Sequence, residues 1–256
     1  MDEKLEVLIS AMHQKDNRIF ERTNINTDAL LINQCDIESV VEYSESGNCY
    51  RIISTTERGL SKSRNKALEY AKGTYCLICD DDEILYEDYE NKIVRSFQDN
   101  PEMDIICFQL KLDGKNYSDK EYKVGFLRAL RVASVQVAFK LDSIKANNLL
   151  FDEAFGSGTP VGSGEENIFL YDCLRKGLKI KYMPVCIGEV AQSNSKWFKG
   201  FDEEYFYNRG KIIRRLMGKR LGFFYCVYFI LFKIKDYQKT TALVDAWKSI
   251  MRGYTQ

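Results

Sequence analysis

Residues 57–85, ERGLSKSRNKALEYAKGTYCLICDDDEIL, place a helical pattern directly before an apolar run and four acidic residues. The alanines and leucine of 61–72 recur at helical spacing, with Ser61 as a candidate N-cap and Gly73 just past the end. The run 75–79 is short, apolar and typical of a buried strand. This stretch therefore predicts a helix that leads straight into a strand carrying acids at its carboxyl end.

Four further β-rich runs occur in the first half of the chain and are separated by polar or helical segments. They are residues 5–11, 29–33, 50–55 and 104–112. Alternation of strands with helical segments is the pattern of an α/β sheet with parallel strands. We predict an α/β fold with a mixed, mainly parallel sheet flanked by helices.

The acidic cluster Asp80–Glu83 raises the question of what holds so many like charges together. Adjacent carboxylates disfavour one another's ionised form unless a cation or a hydrogen-bonding ligand lies among them. In open α/β sheets, ligands bind at the carboxyl ends of the strands, where this cluster falls. The start of the 61–72 helix, with Lys62 and Arg64, would add an anion site there. The alternatives are a solvated acidic turn and, for Arg64, a surface charge.

A second polar motif follows the glycine-rich segment 156–164, which could be a lid over a ligand or a simple irregular connection. Glu165 and Glu166 come next and open a helical pattern that Gly177 closes. Carboxylates at a helix N-terminus are favoured by the helix dipole. Taken alone, this motif needs no functional explanation.

The whole-chain composition excludes some classes of function. The 256 residues include 37 Lys and Arg and 37 Asp and Glu, so the chain has no excess of positive charge that would indicate a nucleic-acid partner. Eight cysteines are scattered through apolar runs, which favours reduced thiols over a disulfide framework. The acidic N-terminus lacks a secretory apolar run, and we expect a cytoplasmic protein.

An apolar segment lies near the C-terminus, where residues 221–232 run between Arg220 and Lys233. It is too short to cross a bilayer as a helix. Two interpretations stay open: a buried helix, or an interfacial segment whose aromatic residues lie at headgroup depth while the flanking cations meet anionic lipid.

Residues 57–85 and the later segment GEENIFLYDCLRKGLKIKYMP, in this order, resemble family 2 glycosyltransferases of the GT-A fold, which build bacterial surface polysaccharides. The first piece resembles the family's Arg-Asn helix and the strand ending in Asp-x-Asp, here Arg64, Asn65 and the acids after Cys79. The second resembles its acidic catalytic-base motif. The likeness covers roughly residues 5–190 and implies a GT-A (Rossmann-like) sheet with a C-terminal helical tail.

The resemblance implies a role for each acid of the first motif. Asp80 would hydrogen-bond the ribose of the nucleotide, Asp81 would support Asp80 or Asp82, and Asp82, together with Asp80, would hold Mn²⁺ or Mg²⁺. These hard cations prefer oxygen ligands. Arg64 and Asn65 would belong to the nucleotide-sugar site.

The second motif, by the same resemblance, supplies the general base for an inverting transfer. Glu166 takes the position at which the family usually has Asp, so the neighbouring Glu165 also remains a candidate. The family's usual base-reading residues are absent, and Asn33 or Asp36 would then contact the nucleotide base, with a UDP-sugar as the preferred donor.

The resemblance divides the chain into a nucleotide-sugar-binding half (1–112), an acceptor and catalytic-base half (113–195), and a helical, membrane-associating tail (196–256). The predicted function is metal-dependent transfer of a hexosyl or N-acetylhexosaminyl group to a glycan or lipid-linked glycan at the inner face of the cell membrane. Alternatives are a sugar nucleotidylyltransferase and a non-catalytic nucleotide-binding scaffold. The first alternative is disfavoured because the sequence has no glycine-rich phosphate loop near the N-terminus of the kind that such enzymes carry.

Overall fold

The computed structural model describes residues 3–112, 115–132, 136–191 and 200–256. The chain divides into two compact units. The first comprises Met1–Glu153 and Glu165–Ser193, and the second comprises Ala154–Gly164 and Asn194–Gln256.

One mixed sheet forms the centre of the first unit. Within the described residues its strands are β1 (Leu5–Met12), β2 (Asp28–Gln34), β3 (Ser39–Glu45), β4 (Asn48–Thr55), β5 (Tyr75–Asp80), β6 (Glu83–Leu85), β7 (Ile105–Lys111), β8 (Tyr122–Lys123), β9 (Val137–Lys140) and β10 (Ile180–Val190). Their order is β3-β4-β2-β1-β5-β9-β7-β10-β6, with β8 paired to β10. The strands β4, β2, β1, β5, β7 and β10 run in one direction, which confirms the predicted mainly parallel α/β fold.

Helices flank this sheet, and the structure gives them as α1 (Arg18–Arg22), α2 (Leu60–Tyr70), α3 (Tyr89–Gln98), α4 (Phe126–Ala129), α5 (Leu141–Ala146) and α6 (Glu165–Arg175). The central strands are buried on both faces, as the near-continuous apolar runs of β1, β2 and β5 predict. The eight cysteines, all at described positions, are free thiols.

The start of α2 differs from the sequence prediction, because Ser61 lies inside the helix and Gly59 occupies the N-cap position. Gly59 has a φ of +118°, a backbone conformation that glycine adopts without steric cost. Its N–H donates to Gln34 Oε1 at 2.8 Å. The helix entry is therefore fixed by a side chain of β2, a contact between distant parts of the sequence that no local capping pattern reveals.

A buried ion pair lies next to the C-terminal end of α2. Glu6 of β1 pairs with Arg51 of β4, and both side chains are almost fully buried. Glu6 Oε2 also accepts the N–H groups of Lys72 at 2.7 Å and Gly73 at 2.9 Å. Gly73 is required by this close approach, because a Cβ there would lie 2.6 Å from Glu6 Cβ. The helix C-cap is Ala71.

The second unit is helical, with α7 (Glu203–Phe232), α8 (Ile234–Tyr237) and α9 (Leu243–Thr255). The predicted helical tail is thus confirmed. α7 is interrupted at Gly218, which has φ +66° and ψ −169°. Two glycines let α7 and α9 pack closely, since a Cβ at Gly210 or Gly253 would collide with the other helix's backbone. Among the described residues, no helix has the length and apolar character needed to cross a bilayer.

Candidate functional site

The acidic cluster lies at the carboxyl end of β5, next to the carboxyl end of β1. Ser10 of β1 is in register with Asp80. The Ser10 hydroxyl lies 2.8 Å from the Ser63 hydroxyl at the start of α2. The chain turns after Asp80, and Glu83 then begins the short strand β6. The edge of the parallel strands, the acids and the first turn of α2 are thus brought together, as the sequence predicts.

Arg64 connects the two acidic motifs. Its guanidinium donates to Asp80 Oδ1 at 3.0 Å through Nη2 and to Glu165 Oε1 at 3.1 Å through Nη1. The Arg64 side chain is only 3% exposed, whereas that of Asp80 is 28% exposed. Burial opposes the charged guanidinium, but the charges of Asp80, Glu165 and Glu166 outweigh it and raise the pKa of Arg64. Arg64 is therefore a buried cation held by carboxylates rather than a solvated surface charge.

Glu83 lies beneath the exposed acids and is almost completely buried. Its Oε1 accepts the Asp80 N–H at 2.8 Å, which fixes the turn at the end of β5. Burial, and then the charge of Asp80, raise the pKa of Glu83 well above its usual range. Burial thus disfavours the ionised form of Glu83, which supports the turn through its hydrogen bond to the Asp80 N–H.

Asp81 is the exposed acid of the cluster, while Asp82, like Asp80, is half-buried. Local desolvation, and next the charge of Asp80, raise the pKa of Asp81. The main-chain carbonyl of Asp82 accepts the Ala191 N–H at 2.8 Å, which ties the turn to the chain just after β10.

Glu166 is in the first turn of α6, immediately after the Glu165 that binds Arg64. Burial and the neighbouring Glu165 charge raise the pKa of Glu166 to about 8, while Arg64 acts in the opposite direction. Lys115 also contributes a positive charge near Glu166, and its own pKa is lowered by burial. Its ammonium donates to Gln136 Oε1 at 3.1 Å.

Asn65 has a different surrounding from the other predicted site residues. Its amide donates to the Phe151 carbonyl at 3.0 Å and accepts the Phe151 N–H at 2.7 Å. Phe151 in turn stacks on Phe169 of α6 at 4.3 Å, and the Arg64 guanidinium lies 5.5 Å from the Phe151 ring centre. In the structure Asn65 thus fixes the chain that packs against Arg64, and its assignment to the nucleotide-sugar site stays a prediction.

Asn33 and Asp36 differ in how far their side chains are exposed to solvent. The Asn33 side chain is buried at the end of β2 and clasps Gln14, accepting its N–H and donating to its carbonyl, both at 2.9 Å. Asp36 is exposed and pairs with Arg58 at 2.6 Å. Of these two candidates for contact with the nucleotide base, Asp36 is the accessible one, while Asn33 shapes the loop after β1.

Several residues of this site could not be identified from the sequence. Lys115 and Gln136 belong to stretches that carry no recognisable motif, and Glu83 looked like one more acid in the cluster. The link between Arg64 and Glu165 joins residues 101 positions apart. Only the pairing of charges in the folded chain could have revealed it.

A divalent metal requires hard oxygen ligands, which the carboxylates of Asp80, Asp81 and Asp82 offer, and its assignment to Asp80 and Asp82 stays a prediction. Within the described part of the chain, no group of three or more His, Cys, Asp and Glu side chains is arranged as a metal site. Mg²⁺ in phosphate-transferring sites commonly takes one or two carboxylates and completes its shell with phosphate oxygens and water. The residues present therefore suit a metal that binds together with a diphosphate.

Comparisons with known proteins give a consistent result. The sequence model described as "Glycosyl transferase family 2" matches residues 2–157. An uncharacterized glycosyltransferase of Haemophilus influenzae is 24% identical over 161 residues, which cover 61% of this chain. The match spans 55% of the length of that relative.

Solved structures of similar fold include residues 1–349 of S. aureus TarS in complex with UDP-GlcNAc. That structure has a TM-score of 0.63 and 14% identity, covering 93% of this chain and 74% of the other. The mannosyltransferase PcManGT of Pyrobaculum calidifontis, in complex with GDP-Man and Mn²⁺, has a TM-score of 0.53 and 13% identity, covering 98% of this chain and 73% of the other. These similarities show the fold, which is GT-A.

Proposed function

The chain belongs to glycosyl transferase family 2, and from this premise we propose that it transfers a sugar from a nucleoside-diphosphate sugar to a hydroxyl group of a glycan, with inversion at the anomeric carbon. The observation that carries this proposal is the Arg64 link between Asp80 and Glu165. It joins the acids proposed for the donor to the helix turn that holds the proposed base.

The donor half of the mechanism uses the accessible acids. Asp80 is proposed to hydrogen-bond the ribose, with Asp81 supporting Asp80 or Asp82, while Asp82 and Asp80 would hold Mn²⁺ or Mg²⁺. When bound, such a metal neutralises charge on the leaving diphosphate. Arg64 keeps the Asp80 carboxylate oriented by a partly buried, charge-assisted hydrogen bond. The first turn of α2 presents backbone N–H groups at the same edge of the sheet.

The acceptor half of the mechanism requires a carboxylate that can take a proton from the attacking hydroxyl. Glu165 is engaged by Arg64, which favours Glu166 for this role. A pKa of about 8 makes the ionised Glu166 a stronger base than an ordinary carboxylate. Attack on the anomeric carbon from the side opposite the diphosphate, in a single displacement, inverts its configuration.

For the substrates, we propose a UDP-sugar as the donor, with Asp36 or Asn33 contacting the nucleotide base, and transfer of a hexosyl or N-acetylhexosaminyl group. The proposed acceptor is a glycan or lipid-linked glycan of surface polysaccharide synthesis, at the inner face of the cell membrane. The complexes of TarS with UDP-GlcNAc and of PcManGT with GDP-Man support a nucleotide-sugar donor in general terms.

The first experiment is a thermal-shift panel of UDP-, GDP-, dTDP- and CDP-sugars, each with and without Mn²⁺. A ligand that binds only the native state raises its stability. We expect one nucleotide to give a Mn²⁺-dependent shift that Asp82→Asn abolishes. The control is Asp99→Asn, an exposed acid at the end of α3, which should shift like the wild type.

The released product then identifies the reaction. A glycosyltransferase releases a nucleoside diphosphate, a nucleotidylyltransferase releases pyrophosphate, and a scaffold releases neither. Glu166→Gln should retain the donor-induced shift and lose nucleoside diphosphate release. A Glu166→Gln protein that transfers sugar at the wild-type rate would refute the base assignment, and a panel without any shift would refute the donor site.

A further inference from the structure

The second half of α7, residues 219–232 after the break at Gly218, has two different faces. One face packs into the core of the second unit through Gly222, Cys226, Phe229 and Ile230. The opposite face carries large apolar side chains that are exposed, namely Leu221, Phe224, Tyr228, Leu231 and Phe232. We call these five residues the tail face. The segment is thus a helix that is buried on one side only.

The tail face is large for a surface patch. Leu221 and Phe232 are each 71% exposed and Phe224 is 69% exposed. Aromatic side chains present about 150–250 Å² each, so the tail face exposes on the order of 600 Å² of mainly apolar surface. The largest apolar patch on a typical monomer is about 300–600 Å², and patches at or above this size mark interaction sites.

Positive charge surrounds this apolar stripe. Residues 203–256, from the start of α7, contain eleven Lys and Arg against four Asp and Glu, although the whole chain is neutral. Lys219 and Arg220 precede the tail face, and Lys233 and Lys235 follow it, all with exposed side chains. Asp236, the acid that follows the tail face, is paired with Lys233 at 2.9 Å. The local charge at both ends of the stripe is therefore basic.

We propose that the tail face docks on the surface of an anionic lipid bilayer. A helix of this length is about 20 Å long, too short to span a bilayer but suited to lie in its plane. The leucine and aromatic side chains would enter the headgroup and acyl boundary, while the flanking cations meet anionic headgroups. Tyr228 combines an apolar ring with a hydroxyl, as side chains at such interfaces do.

The charge pattern selects lipid over a second copy of the chain as the occupant. Two copies joined through the tail face would bring two basic surfaces together, and like charges disfavour that association. An anionic bilayer supplies both the apolar layer and the opposite charge. This inference rests on the proposed function only for the membrane location of the acceptor. Its test measures vesicle binding through other residues, so its failure is distinguishable from failure of the proposed sugar transfer.

The test is co-sedimentation of the full chain with vesicles of phosphatidylcholine, alone or mixed with phosphatidylglycerol. We expect binding to the mixed vesicles, at least ten-fold weaker binding to phosphatidylcholine alone, and weakening by added salt. The double variant Phe224→Ser/Phe232→Ser should bind the mixed vesicles at least ten-fold more weakly than the wild type, because each phenylalanine loses apolar burial.

The matched control is Ile37→Ser/Val40→Ser, which removes two apolar side chains that are 62% and 73% exposed in the first unit. It should bind vesicles like the wild type. Circular dichroism and urea unfolding check that each variant is folded. Leu221→Ser/Leu231→Ser serves as a second variant of the tail face.

Three outcomes would overturn the proposal. They are a wild type that does not sediment with the mixed vesicles, folded tail-face variants that bind as tightly as the wild type, and a control that loses binding equally. A wild-type dimer in sedimentation velocity that both tail-face variants abolish, without vesicle binding, would instead assign the surface to a second copy.

Discussion

Replacing Arg64 by methionine should affect stability and activity for separable reasons. The Arg64 side chain is 3% exposed and contacts two carboxylates, of which Glu165 is 7% exposed and Asp80 is 28% exposed. Removing one partner of a buried ion pair leaves an uncompensated charge and costs about 3–5 kcal/mol. Most of this cost should come from Glu165, because water can still reach Asp80 and screen its charge.

A second substitution separates the two effects. In Arg64→Met/Glu165→Met the buried uncompensated carboxylate is gone, and the apolar side chains fill a similar volume. The free energy of unfolding should therefore recover by about 2–4 kcal/mol relative to Arg64→Met, since replacing a buried ion pair by apolar residues is often nearly neutral. Sugar transfer should stay low in both variants, because Asp80 no longer has its orienting hydrogen bond.

The assays are urea unfolding followed by circular dichroism, and nucleoside diphosphate release at saturating donor. The control Arg18→Met breaks an ion pair with the exposed Asp16 and should change stability by at most about 1 kcal/mol. Recovery of transfer in the double variant would refute the positioning role of Arg64. Failure of the double variant to regain stability would refute the charge argument.

Three further predictions concern the titration of the base and two packed positions. The pKa of Glu166, raised to about 8 by burial and Glu165, implies that kcat/KM rises with pH up to about 8, because the base must be ionised. The raised pKa also implies that the folded state binds this proton more tightly than the unfolded state. The wild type should therefore lose stability relative to Glu166→Gln as the pH rises from about 4.5 to about 8. Curves of unfolding free energy against pH that run parallel for the two proteins would contradict this. Glu6→Leu should cost about 3–5 kcal/mol in urea unfolding by stranding Arg51, whereas Glu6→Leu/Arg51→Leu should cost less, and an equal cost would count against charge burial as the cause. Gly73→Ala should cost about 1–3 kcal/mol because its Cβ would lie 2.6 Å from Glu6 Cβ, while Gly125→Ala, with open space around it, should cost less than about 1 kcal/mol.

The strands that sequence reasoning found are those with continuous apolar runs, because burial on both faces leaves that signature in β1, β2 and β5. It did not find β9 (Val137–Lys140), which enters the sheet antiparallel between β5 and β7. A strand of four residues has too short a pattern to be recognised. Its place depends on pairing partners distant in sequence.

The site shows the same division between local and long-range information. The acids after Cys79 and the pair Glu165–Glu166 stand out in the sequence because charged residues directly follow, or directly open, regular elements. The sequence does not tell which of these carboxylates is already neutralised. That property depends on Arg64, whose partners lie 16 and 101 residues away, and on Lys115, whose positive charge acts on Glu166.

The balance of charge in the folded site answers the question that the acidic cluster raises. Within the described part of the chain, six carboxyl groups come together, those of Asp80, Asp81, Asp82, Glu83, Glu165 and Glu166. The cations that act on them include Arg64, Lys115 and Arg22. Arg64 is engaged by Asp80 and Glu165, and burial raises the pKa of Glu83 and so disfavours its ionised form. The accessible acids Asp81 and Asp82 would repel an incoming diphosphate at close range. A donor must therefore arrive with a cation that offsets both its own charge and theirs, and for this reason we expect nucleotide binding without a divalent metal to be weak even in the wild type.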